Sequence, residues 1–189
     1  IPFYPVNHIE AHLRSPWLEN PEAPLPALVL VVSGGHTHLF WLEEGAPLRI
    51  VAATRDDAAG EALDKVAKRM WLPYPGGPWV DKLSARGNPQ AFVLPLPRFT
   101  SGERDYSFSG LKVAALYQLA PREAELTPGA PVDALPKWAY DLLASFQKRV
   151  VDHLLQRVHH AIEALHPATL AMAGGVACNR ALRARFKET

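Results

Sequence analysis

The sequence predicts an α/β fold, and three of its features lead to that prediction. An apolar, Val-rich run, Ala27–Val32, ends in Ser-Gly-Gly, as a buried strand followed by a tight turn would. Lys137–Leu165 has the apolar spacing of a long helix, and a second short apolar run, Thr169–Ala173, again leads into Gly-Gly. Strands that alternate with helices along the chain are typical of α/β folds.

The first predicted element is a helix at residues 7–19. Asn7 can cap its first turn, and an Asn-Pro pair ends it. Its core face consists of Ile9, Leu13 and Trp17. The Pro-rich residues 21–26 then form a linker to the first strand.

Two more strands, at 38–42 and 48–53, follow the buried one. Residues 58–71 have a single apolar stripe at helical spacing, which predicts a helix with one buried side. The Pro- and Gly-rich stretch 73–78 ends that helix.

The second half of the chain begins with a long irregular segment at 88–106, rich in Pro, Gly and polar residues. A helix is predicted at 109–119. The strongest helical pattern is Lys137–Leu165, and Pro167 forces its end. A last helix begins near Ala177, after the second Gly-Gly turn.

Composition and charge exclude several classes of protein. With 189 residues, 48% of them hydrophobic, the chain can bury a core, and 20 Lys and Arg against 19 Asp and Glu argue against a polybasic nucleic-acid arm. No apolar run approaches the roughly 20 residues of a membrane span and no leader pattern opens the sequence, so we expect a cytoplasmic protein without membrane contact. The single cysteine, Cys178, forbids an internal disulfide, and any metal would be held by His and carboxylate.

Four groups of residues could carry chemistry. The first is His8 and His12, which share one helix face at i and i+4 and could ligate one metal ion. The alternative is a pair of surface histidines. Glu10 lies about 200° round the helix from His8, so it is poorly placed as the general base of a zinc peptidase.

The second group is the turn Ser33-Gly34-Gly35 after the buried strand. Its backbone N–H groups could approach phosphate oxygens, with the hydroxyls of Ser33 and Thr37 as further donors. The alternative is an ordinary hairpin turn.

The third group is a row of carboxylates on one side of the helix at 58–71: Asp57, Glu61 and Asp64. Gly60 on the same side leaves room for a ligand, so the row suits ribose hydroxyls or a metal. The alternative is a solvated face paired with Lys65 and Lys68.

The fourth group is the Gly174-Gly175 turn, a strand-glycine-helix arrangement suited to a nucleotide. Asn179 beyond it could bind hydroxyls or a base edge, whereas we expect Cys178 to be a small packed residue. The string Tyr74-Pro-Gly-Gly-Pro is a turn when taken alone.

Six strings, in this order and at these spacings, together resemble the TsaD family, the tRNA N6-adenosine threonylcarbamoyltransferases. They are HIEAH, VVSGGHT, DDAAGEALDKVAK, YPGGP, DYSFSGLK and AGGVACNRALR, and they span essentially the whole chain. The resemblance implies an α/β fold of the actin-like, sugar-kinase-like (ASKHA, ribonuclease H-like) class with helical insertions. Residues 1–24 would end the first domain and carry the histidine helix, and residues 25–189 would form the second domain.

The resemblance also implies a function. The threonylcarbamoyl group of threonylcarbamoyl-AMP would pass to the N6 amine of the adenosine beside the tRNA anticodon, releasing AMP, with no general base required. His8 and His12 would hold iron(II) or another divalent metal, one per subunit. The substrate site would consist of Val31, Val32, Ser33, Gly34, Gly35, Asp64, Gly77, Asp81 and Asn179. The expected partners are tRNA, an inactive paralogue of the same fold and a small P-loop ATPase.

The family pattern contains two features that this sequence lacks: an N-terminal segment with its own phosphate motif, and an aspartate metal ligand beyond residue 189. We therefore expect an incomplete fold, truncated at both ends. Two other functions stay open. One is a non-catalytic nucleotide-binding ASKHA subunit or scaffold, and the other is a metallo-glycopeptidase, which only the histidine pair favours.

Overall fold

A four-stranded mixed sheet forms the centre of the fold, in a computed structural model that describes residues 2–97 and 105–189. The strands are β1 (Ala27–Val32), β2 (Thr37–Leu42), β3 (Arg49–Ala53) and β4 (Thr169–Ala173), in the spatial order β3-β2-β1-β4. β1 pairs antiparallel with β2 and parallel with β4. Because β1 is buried along its whole length, it appears in the sequence as a continuous apolar run.

Helices cover both faces of the sheet. They are α1 (His8–Arg14), α2 (Pro16–Glu19), α3 (Ala59–Arg69), α4 (Gly76–Ser84), α5 (Ser109–Leu119), α6 (Lys137–Leu165) and α7 (Arg180–Lys187). Short 3-10 turns occupy Ala120–Glu125, Val132–Ala134 and Gly175–Cys178. Across the described ranges, no helix combines the length and the apolar composition needed to cross a bilayer.

Alternate side chains of β1 enter two hydrophobic cores. Leu28, Leu30 and Val32 pack with helices α3 to α6 in the larger core. The other side chains of β1 pack with Leu13 of α1 and, at its edge, Trp17 of α2. This period of two is expected for a strand that is covered on both faces. The predicted domain division after residue 24 stays a prediction.

The four strands and the helices at α3, α5 and α6 confirm the sequence prediction to within about two residues. The single helix at 7–19 is wrong, because the chain forms two helices that meet at Ser15 and Pro16. A proline lacks the N–H that would continue α1, but it is tolerated at the first position of α2. Asn7 caps α1 as predicted, since its Oδ1 accepts from the N–H groups of Ile9 (2.9 Å) and Glu10 (3.3 Å).

The helix α4 is absent from the sequence prediction, which has only a break at 73–78. Its first turn contains Gly76, Gly77 and Pro78, residues that normally end helices. A proline in the first turn removes an N–H that has no partner within the helix, so α4 tolerates Pro78 there. Burial of Val80 and Leu83 then stabilises the helix against the core.

The last helix begins later than predicted. A 3-10 turn follows Gly174, and α7 starts at Arg180, where Asn179 caps it by accepting from the N–H of Leu182 at 2.9 Å. Of the irregular segment predicted at 88–106, residues 98–104 lie outside the described residues. Residues 88–97 contain no helix or strand.

Candidate functional site

The two glycine turns lie side by side, because β1 and β4 are parallel neighbours whose carboxyl ends meet at one edge of the sheet. Gly174 has φ of +96°, and a Cβ there would collide with the backbone of Val32 at the end of β1. Only glycine allows this close approach. The similarity of the two strand-Gly-Gly strings in the sequence therefore corresponds to a real pair of turns.

Helix α3 begins against the first of these turns. The N–H of Gly60 donates to the carbonyl oxygen of Ser33 at 3.2 Å, and a Cβ on Gly60 would lie 2.5 Å from that oxygen and 2.8 Å from Cα of Gly34. The sequence prediction is that Gly60 leaves room for a ligand. Gly60 does border the cavity described below, but its missing side chain is required by the backbone of the turn.

Substituting Gly60 with alanine should lower the free energy of unfolding by about 1–3 kcal/mol, the range for forcing atoms into a packed site. The added methyl group would meet backbone atoms, which cannot turn away as a side chain could. Urea denaturation measures the change. Gly110→Ala is the matched control, since a Cβ at Gly110 meets nothing within 4 Å, and equal stability of both variants would contradict the prediction.

A cavity of about 390 Å³ lies between the two turns, α3 and α4. Its lining includes five of the nine predicted substrate residues: Gly34, Asp64, Gly77, Asp81 and Asn179. A Cβ on Gly34 would meet no atom within 4 Å, so this peptide faces open space. These five residues come from four separate parts of the chain, and the fold brings them to one cavity.

Asp64 fixes the first turn of α4 next to the cavity. Its Oδ1 accepts from the N–H of Gly77 at 2.9 Å. A Cβ on Gly76 would collide with Ala67 of α3, so glycine is needed for the close packing of α3 and α4. The paired glycines of YPGGP are therefore the start of a helix that presents its N–H groups beside Asp64.

The other two carboxylates of the predicted row have different partners. Asp57 forms ion pairs with Lys65 (2.7 Å) and Lys112 (2.6 Å), and Glu61 pairs with Lys65 at 2.9 Å. Burial alone would raise the pKa of Asp57, but hydrogen bonds from Lys112 and Lys65 outweigh it, and the pKa is lowered. The alternative, a solvated face paired with lysines, is thus confirmed for Asp57 and Glu61, which both pair with Lys65, whereas Asp64 lines the cavity.

Asp81 and Asn179 connect α4, α6 and α7 at the cavity wall. Asp81 accepts from the backbone N–H of Arg180 at 3.1 Å and from its Nε at 2.7 Å. Asn179 is buried, and its Nδ2 donates to Oε1 of Gln147 at 2.9 Å while its Oδ1 caps α7. Both residues hold the wall together in addition to bordering the cavity.

The remaining four predicted substrate residues lie beside the cavity. Val31 and Val32 have fully buried side chains in the two cores, so only their peptide groups are near the turn. Ser33 stabilises the turn, since its Oγ accepts from the N–H of His36 at 3.1 Å. Gly35 faces a groove that shares Gly34 and Asp64 with the cavity.

Five residues of the cavity lining have no place in the sequence prediction of the site: Leu63, Tyr74, Pro75, Pro78 and Val176. Tyr74, Pro75 and Pro78 lie just before or at the start of α4, and Val176 follows the second turn, so without α4 no pattern places them together. Cys178 was predicted to be packed. That was wrong, because it is exposed and lines the cavity.

A row of four imidazoles extends from α1 to β2. The ring centroids of His8 and His12 are 4.6 Å apart, as the i and i+4 spacing predicts. His36 lies 6.1 Å from His8, and His38 lies 5.9 Å from His36. The last two were missed, although alternation along β2 places His38 on the same sheet face as Phe40, toward α1.

The electrostatics of this row differ from one end to the other. His8 is exposed and His12 is half-buried, whereas Nδ1 of His38 is buried and has no hydrogen-bond partner in the described part of the chain. Burial, followed by the charge of His36, lowers the pKa of His38. Within residues 2–97 and 105–189, no three His, Cys, Asp or Glu side chains are arranged to hold a metal ion.

The DYSFSGLK string meets the first aspartate of DDAAGEALDKVAK. Asp56 accepts from the N–H groups of Phe108 (2.8 Å) and Ser109 (3.2 Å) at the start of α5, and from Oγ of Ser107 (2.5 Å). The N–H of Ser107 donates to Nε2 of His153 at 3.2 Å, and this histidine is fully buried. These contacts hold α5 against α3 and α6, behind the cavity.

Comparison with known proteins identifies the family. The profile of the tRNA N6-adenosine threonylcarbamoyltransferases, TsaD, matches residues 1–189. The chain belongs to the TsaD family.

The tRNA N6-adenosine threonylcarbamoyltransferase of Pelobacter propionicus is 48% identical over 183 residues, which are 97% of this chain and 51% of that protein. The enzyme of the same name from Desulfitobacterium hafniense is 43% identical over 188 residues, 100% of this chain and 53% of that protein. The chain thus spans about half the length of these TsaD relatives.

Solved structures confirm the fold class of this TsaD chain. Component A of the (R)-2-hydroxyglutaryl-CoA dehydratase of Acidaminococcus fermentans superposes with a TM-score of 0.51 at 16% identity, covering 95% of this chain and 57% of that one. The activator of the 2-hydroxyisocaproyl-CoA dehydratase of Clostridium difficile, with bound ADPNP, gives 0.50 at 16% identity, covering 95% and 56%. The fold is the predicted α/β, actin-like ASKHA type.

Proposed function

We propose that the protein to which this chain belongs transfers a threonylcarbamoyl group from threonylcarbamoyl-AMP to the N6 amine of adenosine in tRNA, releasing AMP. The observation that carries the proposal is the cavity between the two glycine turns, where Gly34, Asp64, Gly77, Asp81 and Asn179 converge. The transferase names of the relatives support this reaction over a glycopeptidase or a scaffold.

The residues of the cavity suit a nucleoside monophosphate. Backbone N–H groups at Gly34 and Gly35 would bind the phosphate, because no side chain keeps a ligand away from them. Asp64 uses Oδ1 for Gly77, and in the described part of the chain no donor contacts its Oδ2. That oxygen would accept from a ribose hydroxyl, and Asp81, whose two oxygens also accept from Arg180, would border the same ligand.

His8 and His12 fit a divalent metal such as iron(II), one per subunit, as neighbouring imidazole ligands on an exposed helix face. When bound, the metal would supply Lewis-acid polarisation of acyl or phosphoryl oxygens. The turn amides of this chain would stabilise the charge on the departing AMP. The N6 amine would form a bond to the carbonyl carbon, the bond from that carbon to the phosphate oxygen would break, AMP would leave with the electron pair, and the amine would lose one proton to solvent. No catalytic side chain is assigned beyond the histidine pair.

The proposed partners follow from this reaction and from the family. They are tRNA and threonylcarbamoyl-AMP as substrates, with an inactive ASKHA paralogue and a small P-loop ATPase as accompanying subunits. A reaction on tRNA would take place in the cytoplasm.

Nucleoside analysis of cellular tRNA tests the function. Cells that lack the gene should lose N6-threonylcarbamoyladenosine, and the wild-type gene on a plasmid should restore it. Mass spectrometry of digested tRNA gives both results. An unchanged content of the modified nucleoside in the deletion strain would refute the proposed reaction.

Alanine at His8 or His12 should reduce bound metal sharply, to below about a tenth of the wild-type content, because one imidazole gives little of the affinity of a chelating pair. The fold should persist, since the core face of α1 is Ile9 and Leu13. Elemental analysis of the purified protein, with Glu10→Ala as the control on the same helix, measures this. Wild-type metal content in either histidine variant would contradict the assignment.

Asp64→Ala should weaken AMP binding by about 1.5–3 kcal/mol, the range for hydrogen bonds that involve a charged group. A 2′,3′-dideoxy analogue should bind wild type and variant about equally, because it lacks the hydroxyls that the carboxylate would accept from. Asp64→Asn, which keeps an acceptor for the N–H of Gly77, separates this effect from a disturbed α4. Calorimetric titration decides the matter, and an equal loss for both nucleotides would exclude the ribose role.

A further inference from the structure

The face formed by α7 and the middle of α6 is strongly basic. α7 has four cationic residues in eight and no carboxylate: Arg180, Arg183, Arg185 and Lys187. On α6, Lys148 and Arg149 lie next to Asp152, which also binds Arg185. Arg185 faces α6, whereas Arg183 and Lys187 lie about 160° from it round α7, on the outer side of that helix. We call the surface of both helices the α6–α7 face, and the exposed residues Arg180, Arg183 and Lys187 the outer row of α7.

The carboxylates on the α6–α7 face do not balance its cations. Asp152 is shared by Lys148 (2.7 Å), Arg149 (3.4 Å) and Arg185 (2.5 Å), and Asp81 pairs with Arg180 at 2.7 Å. Counted over both sides of α7, and with Glu188 at its end included, six cations meet three carboxylates, an excess of three. The whole chain has a net charge of +1. The face is therefore a local concentration of positive charge on a nearly neutral chain.

Two of these cations are available to a ligand. Arg183 and Lys187 are exposed and one turn apart on α7, and in the described residues no carboxylate lies within ion-pair distance of either. Arg180, also exposed, continues the row at i−3 from Arg183. Such a row presents positive charge along about 10 Å of helix.

The α6–α7 face leads to the nucleotide cavity. On the α6 side of α7, a groove of about 610 Å³ is lined among others by Lys148, Asp152 and Arg185, and Arg183 and Lys187 are not part of its lining. Asp81 borders both this groove and the nucleotide cavity. Arg180, the first cation of the outer row, pairs with Asp81, so a polyanion bound along that row would end beside the cavity in which the adenylate is proposed to bind.

We propose that the outer row of α7 binds the phosphate backbone of the RNA substrate, with Arg183 and Lys187 as direct phosphate contacts. The inference rests on the proposed function, since the occupant is the RNA that the reaction modifies. Arginine offers paired N–H donors to phosphate oxygens and lysine a compact charge, so both suit a backbone that is bound without regard to base sequence.

Salt-dependent tRNA binding tests the proposal, in the protein with its natural chain ends. The slope of log K against log salt reports the number of phosphate contacts. Arg183→Ala/Lys187→Ala should reduce that slope by about two and weaken binding about tenfold at low salt. The matched control is Arg49→Ala/Lys137→Ala, which removes the same two residue types from exposed positions on β3 and at the start of α6.

Each outcome of this experiment decides the matter. A reduced slope in the first pair alone, with unchanged AMP affinity and metal content, supports the outer row of α7 as the RNA site. Equal slopes in wild type and the first pair, or equal reductions in both pairs, overturn it, and wild-type modification of tRNA then shows that the proposed reaction survives. If the Arg183→Ala/Lys187→Ala variant loses binding to an accompanying protein subunit while its tRNA binding is unchanged, the proposal is also overturned. Absence of tRNA binding and modification in the wild type refutes the proposed function and this inference together.

Discussion

Gly34→Val should reduce the affinity for AMP about 100-fold or more, while the free energy of unfolding stays within about 0.5 kcal/mol of wild type. The position tolerates a side chain, because φ lies outside the left-handed region and a Cβ would meet no atom within 4 Å. The space that the valine would fill is the cavity itself. It would exclude a phosphate from the turn amides, where each hydrogen bond to a charged group is worth about 1.5–3 kcal/mol.

Two measurements on each protein test this expectation. Calorimetric titration gives the affinity for AMP and urea denaturation gives the stability. Gly129→Val is the control for the AMP titration, because it places a valine in a turn away from the cavity. Since Gly129 has φ of +76°, we expect that variant to lose stability. Unimpaired binding by Gly34→Val would reject the phosphate role, and a large loss of stability would indicate that the turn serves only as a hairpin.

The sequence predicts the elements of this fold best where the pattern is long or fully apolar. β1 and α6 stand out because burial on both faces and a repeated helical stripe leave few alternatives. α4 was missed because its first turn contains residues that usually break helices, and its stability comes from tertiary burial of Val80 and Leu83. Local preference alone could not reveal it.

The site shows the same limit. Spacing alone pairs His8 with His12, since four residues make about one helical turn. The convergence of Asp64 with Asn179 depends on β1 and β4 being parallel neighbours, which no local string specifies. Gly60 illustrates a different error. The sequence shows that Gly60 lacks a side chain, but the atoms that require this belong to Ser33 and Gly34 in the turn between β1 and β2, which is distant in sequence.

The behaviour of the protein in acid should depend on one buried histidine, His153 of α6. Burial, followed by the positive charge of Arg157, lowers its pKa to about 4, while Asp56 acts weakly in the opposite direction. The rings of Tyr106 and Phe108 pack against its imidazole in T-shaped arrangements, at centroid distances of 5.7 and 5.2 Å. His153 is therefore neutral in the folded protein at neutral pH and accepts from the N–H of Ser107.

The pKa of an unfolded histidine is about 6.5, so between pH 6.5 and pH 4 the unfolded chain binds a proton at this position that the folded protein does not. Stability that depends on His153 is fully present above pH 6.5 and falls as the pH decreases toward 4. The pKa values of Asp57, Asp105 and Asp152 are also lowered, so the stability that these ionised carboxylates contribute is lost when acid protonates them. Their contribution is common to wild type and to variants at position 153.

Between pH 6.5 and pH 4, the His153→Gln variant should lose about 3 kcal/mol less stability than wild type. This is the free energy that corresponds to the lowering of the His153 pKa from its unfolded value. Glutamine keeps an oxygen acceptor for the N–H of Ser107 but cannot bind the proton. The variant should be less stable than wild type at pH 8, because the imidazole packs against two aromatic rings. Urea denaturation at half-unit pH steps measures both curves. His160→Gln, on an exposed position of the same helix, should follow the wild-type curve, and parallel curves for wild type and His153→Gln would show that the proton taken up on unfolding binds elsewhere.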